Sequence, residues 1–207
     1  MSGISLTPLA ITILGLLSER PMHPYEMYQL ASVRRNDQLA KIKPGSLYHT
    51  VSRLEKQELL ISIGTDREGN RPERTTYEIT SAGRAALEHQ IREMLAVPVR
   101  EYPRLPLALA EMHNLTAATA CAMLRTRIEL LGKAIAELEA DRGSMTAEEK
   151  PRIFTVGTDY VHAITVAERD WLEALVHDIE GGEMPWLSQE LLDRMASTAM
   201  PVTQTKD

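Results

Sequence analysis

The apolar positions of this chain keep a helical rhythm almost everywhere and a strand rhythm once. Thr7-Pro8 predicts a helix start, with Thr7 as N-cap and Pro8 in the first turn. LAITILGLLSER then runs apolar on most sides, which predicts a centrally buried helix ended by Pro21. HPYEMYQLASV predicts a second helix, with Tyr25, Tyr28 and Leu30 packing inward. Arg34 and Arg35 fall at its end, where the helix dipole favours cations. Asn36–Ile42 is a polar connection, and Pro44 opens a third helix. At about 100° per residue, Leu47, Val51 and Leu54 of that helix share a narrow arc, and Ser46, His49, Thr50, Arg53 and Gln57 cluster roughly 100° away.

The strand rhythm follows. Leu59–Gly64 is β-branched and apolar, Thr65–Arg74 is a polar tip with Gly69-Asn70 as a turn signal, and Thr75–Ile79 alternates on the way back. Arg67, Arg71 and Arg74 lie in the tip among Asp66, Glu68 and Glu73. Thr80 or Ser81 caps a fourth helix to about Val97. Pro98, Pro103 and Pro106 then mark a domain boundary, followed by a short helical piece over Leu105–Met112.

Beyond the boundary the period lengthens. Thr116 caps a long helix whose apolar positions are Ala117, Cys121, Leu124, Ile128, Leu131, Ile135 and Leu138, the 4-3 spacing of a coiled-coil seam. Gly143-Ser144 breaks it near Asp141, and Thr146 with Glu149 has the spacing of a capping box. The helix predicted from there tolerates Pro151 in its first turn and stops at Gly181-Gly182. It carries two apolar stripes: Ile153, Val156, Tyr160, Ala163, Ala167, Trp171 and Ala174, then Val161, Ile164, Leu172, Leu175 and Ile179. One stripe suffices for the preceding helix, so the second needs another surface, either a second subunit or the chain's own N-terminal half. A short helix over Ser188–Met195 and a polar tail complete the pattern.

Charge changes the picture. The net charge is −6, yet it is unevenly spread. Residues 1–100 hold 13 Lys and Arg against 11 Asp and Glu, a net of +2, and residues 101–207 hold 10 against 18, a net of −8. An acidic half can therefore lie away from a polyanion that the other half touches. The single cysteine, Cys121, excludes an intramolecular disulfide and an all-Cys zinc site. The apolar run Leu9–Leu17 is shorter than the roughly 20 residues of a bilayer span and lacks signal-peptide flanks, so the expected location is the cytoplasm. Scattered histidines and the absence of HExxH, GxSxG and Gly-rich phosphate loops point away from an enzyme, a metal site and a cofactor.

The polar arc of the third helix is suited to a major groove, because Ser, Thr, His, Gln and Arg all offer partners for base edges. An Arg-bearing hairpin beside it suits phosphates. Candidate DNA-contacting residues are Lys43, Ser46, His49, Thr50 and Arg53 on the helix and Arg71 and Arg74 on the hairpin, with Tyr48 added by the family resemblance below. The fold class expected is mainly α with a small β-hairpin. A winged helix-turn-helix domain occupies residues 1–97, a Pro-rich linker with a short helix 98–115, a two-helix dimerisation region 116–182 and a tail 183–207. Candidate dimerisation residues are Leu124, Ile128, Leu131, Val161, Ile164, Leu172 and Leu175.

Three segments, LAITILGLLSERPMHPYEMYQL, PGSLYHTVSRLEKQELL and GNRPERTTYEITSAG, together resemble the winged-helix domain of the PadR family of bacterial transcriptional regulators over residues 8–87. Pro24 departs from the family pattern, where Gly stands between His and Tyr, and is acceptable in a first helical turn. The resemblance implies a homodimeric repressor on an inverted-repeat operator in double-stranded DNA, released by a small aromatic or phenolic effector. By position, Tyr48 and Arg53 match the family's recognition helix and Arg71 and Arg74 its wing; Tyr25 and Tyr77 also match, with core packing as their alternative role. By chemistry alone, Tyr160 and Trp171 are effector candidates, with interface packing as the alternative. The competing function is a winged helix that docks a protein instead of DNA.

Overall fold

The fold comes from a computed structural model, which describes residues 5–34, 36–66, 74–143, 152–188, 191, 193 and 194. The chain divides into two compact units, residues 1–101 and 102–207.

In the first unit, α1 (Pro8–Glu19) starts where Thr7 accepts a hydrogen bond from the Ala10 amide at 3.3 Å. Leu9, Ala10, Ile13, Leu14, Leu16 and Leu17 are buried, as the all-round apolar pattern requires. Helix α2 (Pro24–Val33) is capped by His23 and turns Pro24, Met27 and Ala31 inward. Tyr28 and Leu30 pack against the core from its edge, whereas Tyr25 is 53% exposed, so the inward face lies one step from the one its aromatics suggested. Arg34, at the C-cap of α2, forms an ion pair with Glu19. That bond holds the Glu19 carboxyl below its ordinary value. Arg35 lies outside the described residues.

Helix α3 (Pro44–Lys56) buries Leu47, Val51 and Leu54. It ends through Glu58, which takes a left-handed φ of 58° so that the Leu59 amide can reach the Leu54 carbonyl at 3.0 Å. Strands β1 (Leu60–Asp66) and β2 (Arg74–Ile79) pair antiparallel. Ser62 faces Tyr77 and Gly64 faces Thr76, leaving Ile63 as the extra residue of a β-bulge. Met22 and Tyr77 exchange backbone hydrogen bonds of 3.1 and 3.0 Å, which ties the chain before α2 to the hairpin. Tyr77 packs on the core, and burial pushes its phenol up.

Thr80 caps α4 (Ser81–Ala96): its hydroxyl accepts from the Gly83 amide at 3.0 Å and donates to the Glu58 carbonyl at 2.8 Å. Gly83 admits no larger residue, because a Cβ there would stand 2.0 Å from the Leu59 carbonyl oxygen. One junction thus fixes the end of α3, both strands and the start of α4.

In the second unit, α5 (Arg104–Glu111) leads through a 3-10 turn into α6 (Ala117–Gly143). The Thr116 hydroxyl accepts from the Thr119 amide at 3.2 Å. Helix α7 (Val156–Gly181) follows a 3-10 turn at Arg152–Phe154 and ends on Gly182 with a φ of 77°. It begins later than the spacing of Thr146 and Glu149 suggested, and those two residues and Pro151 lie outside the described residues. Ion pairs of Arg125 with Glu180 and of Arg127 with Glu168, and the contact of His162 with Glu139, show that α6 and α7 run antiparallel. Cys121, Leu124, Leu172, Val176 and Ile179 form their core, flanked by Ala117, Ile128, Leu131 and Leu175. Met184 and Trp186 also close over it, and the Trp186 indole donates to the Leu115 carbonyl at 2.8 Å. The region read as the start of a tail is thus part of the packed unit. No helix among the described residues is long and apolar enough to cross a membrane.

Candidate nucleic-acid interface

Helix α3 presents to solvent whatever its neighbours leave uncovered. Lys43, Ser46, Tyr48 and His49 are exposed, as the sequence reading placed them. Lys43 gives α3 no side-chain cap, and Pro44 has no amide hydrogen.

Of the expected groove face, Thr50 sits elsewhere and Arg53 is partly engaged. Thr50 is only 7% exposed and donates its hydroxyl to the Ser46 carbonyl at 2.8 Å, so it belongs to the packed side. Arg53 is half-buried, with Nη2 donating to the Thr7 hydroxyl at 3.1 Å. The reason is tertiary. A helical wheel separates apolar from polar, but it does not know that the α1 N-cap stands beside Arg53. Conversely, Gly45, Ser52 and Lys56 are exposed, although the wheel reading passed them over. Finding the arc opposite Leu47, Val51 and Leu54 would have located them.

On its other shoulder, α3 meets α2. The Tyr48 ring stands edge-on to His23, with centroids 6.4 Å apart and planes at 72°. His23 is fixed in turn, because its Nδ1 accepts from the Tyr25 amide at 3.1 Å. Beside α3, the hairpin carries exposed Ile61 and Ile63 at the bulge. Arg67 and Arg71 lie outside the described residues; Arg74 opens β2, and its side chain lies outside them too.

The second unit reverses the expected use of the α7 stripes. Leu172 is 0% exposed and Leu124 is buried, so both are covered inside the α6–α7 core and are not free for a partner. Ile128, Leu131, Val161 and Leu175 are half-buried, while Ile164 is exposed. The other stripe is the open one. Ile153, Val156, Tyr160 and Trp171 all face solvent, with Tyr160 66% and Trp171 54% exposed. Phe154 is exposed beside them. Near the other end of the helix pair, Arg125, Glu129, Glu173, His177 and Glu180 line a groove of about 430 Å³. Among the described residues no three His, Cys, Asp or Glu side chains are grouped to hold a metal.

A three-helix unit with a two-stranded hairpin after its third helix, followed by a long antiparallel helix pair, defines a winged helix-turn-helix protein with a C-terminal helical unit. Residues 13–89 match the Transcriptional regulator PadR-like family. Over most of its length the chain has a fold similar to that of solved PadR-family structures. Bacillus subtilis PadR in complex with operator DNA superposes with a TM-score of 0.71 at 16% identity, covering 84% of this chain and 99% of that one. The same protein in complex with p-coumaric acid gives 0.71 at 15%, with the same coverage. The Vibrio cholerae virulence activator AphA gives 0.63 at 17%, covering 84% and 98%. No curated protein matches in sequence.

Proposed function

We propose that this chain is a homodimeric DNA-binding repressor, acting in the cytoplasm on an inverted-repeat operator and released by a small aromatic effector. The observation that carries the reading is α3 itself. One side is locked into the core by Leu47, Val51 and Leu54, and the other offers Lys43, Ser46, His49 and their neighbours to solvent. A rigid helix with a solvent-facing polar edge is what base readout in a major groove needs. Arg71 and Arg74 of the hairpin are the proposed phosphate contacts.

The exposed row of Ile153, Tyr160, Ile164 and Trp171 supports pairing of two copies, since an apolar row of this kind is costly to leave in water. Paired readers bind two half-sites at a fixed spacing. The effector reading is supported by the p-coumaric acid complex of the B. subtilis relative. Tyr160 and Trp171 supply aromatic surface, and they serve pairing before they serve a ligand.

The test is fluorescence anisotropy of the purified protein with duplexes from its own promoter, over a salt series. A regulator neutralising several phosphates should lose affinity steeply, by about a thousandfold or more between 50 and 200 mM salt. Titration of p-coumaric acid into the complex should then release the duplex. A protein that binds no duplex even at low salt would sink the DNA reading and leave α3 as a protein-docking face.

A further inference from the structure

Helix α3 is engaged along both shoulders and free along the edge between them. On one shoulder, Arg53 reaches back to Thr7 at 3.1 Å, and its Nε is buried without a partner. Thr7 is itself occupied by the first turn of α1. On the other shoulder, Tyr48 leans on His23. Gly45, His49, Ser52 and Lys56 stand between the two, within an arc of roughly 60° at 3.6 residues per turn. All four are exposed. Their i, i+4, i+7, i+11 spacing makes one straight edge about 16 Å long.

Resting on the DNA reading above, we propose that this edge carries the sequence discrimination of α3, and that Arg53 is a positioning residue that braces the helix at its shoulder. The chemistry of the edge fits base readout: Ser52 donates and accepts, His49 offers ring nitrogens, and Lys56 suits guanine O6 and N7. Gly45 fits close approach. Nothing in the free protein lies within 4 Å of where its Cβ would be, so internal packing does not call for glycine there. Arg53 is unsuited to reading while it holds Thr7, because its guanidinium is turned toward the start of α1.

The experiment selects preferred duplexes from a random-core library with the full-length protein, then measures affinity and salt slope on them. Ser52→Ala and Lys56→Ala should each flatten preference at one or two adjacent positions by about tenfold. Gly45→Ala should keep the thermal midpoint and lose affinity. Arg53→Ala and Thr7→Val should lower affinity for all duplexes by similar factors, with base preference and salt slope unchanged. Thr7→Ser, which keeps the hydroxyl, should restore what Thr7→Val loses. A base preference that changes with Arg53→Ala and Arg53→Lys, but not with Ser52→Ala or Lys56→Ala, overturns the proposal while leaving DNA binding intact. A wild-type protein that binds no duplex removes the proposal together with the reading beneath it.

Discussion

Ile13, Leu14, Leu17, Met22 and Met27 of the N-terminal unit are enclosed by the helices and hairpin of that same unit. In the C-terminal unit, Trp171 and Leu172 are neighbours in sequence, yet the first is exposed and the second is sealed. Among the described residues the first unit's core cluster gathers 17 buried side chains and the second unit's gathers five, with Ala120, Ile135 and Leu138 buried apart from it. A helix pair has one seam to bury, and an apolar residue off that seam stays wet until something else covers it. The lesson is that the N-terminal unit covers its own apolar residues, whereas the helical unit leaves an apolar row exposed, which is where the proposed pairing would act.

The comparison can be broken most sharply at the open stripe. Tyr160→Asp with Trp171→Asp should convert dimers to monomers in sedimentation and reduce operator affinity by about 100-fold or more, since two linked half-site contacts become one. The melting of the N-terminal unit should not change. Next, Leu172→Ala should cost about 3 kcal/mol in the C-terminal unit at every protein concentration. Trp171→Ala should instead make melting depend on concentration more strongly. Calorimetry over a dilution series separates the two.

Gly83→Ala should cost the N-terminal unit about 3 kcal/mol, because the added methyl meets the Leu59 carbonyl, and backbone yields little. A smaller effect of opposite sign is expected at the end of α3. Glu58→Gly should raise the denaturant midpoint by the equivalent of about 0.5–1 kcal/mol, since glycine takes a left-handed φ without strain.

The smallest effect concerns the Glu19–Arg34 pair. Its carboxyl is held low by the hydrogen bond from Arg34, so its contribution is present above the ordinary value of 4.5 and fades as pH falls through the lower folded value. Arg34→Ala should cost about 0.5 kcal/mol at pH 7, limited by partial exposure, and that difference should shrink in the same denaturation measured at pH 3.

The elements that local chemistry dictates were legible in the sequence. Thr7 announced its helix, Thr80 or Ser81 the fourth and Gly181-Gly182 the stop of α7, and Leu47, Val51 and Leu54 marked a buried face before any neighbour was known. The bulge at Ile63 was not legible, because a single unpaired residue leaves the alternation around it nearly intact. The orientation of α7 was hidden too. Two apolar stripes separate cleanly on a wheel, but only the packing against α6 decides which goes inside. The same limit placed Thr50 on the groove face and left the Arg53 contact unseen. Thr50 turns back to Ser46, and Arg53 is claimed by a residue 46 positions away.

The chain's two tryptophans, Trp171 and Trp186, occupy opposite settings. Trp186 is held by its hydrogen bond to Leu115 and packed on the helix pair, and Trp171 stands in water. The molecule therefore contains two optical reporters with separate duties. In a Trp186→Phe background, the proposed pairing should shift the remaining emission to the blue as protein concentration rises. In a Trp171→Phe background it should stay fixed until the helical unit itself comes apart, so assembly and unfolding can be timed independently in one cuvette without a label.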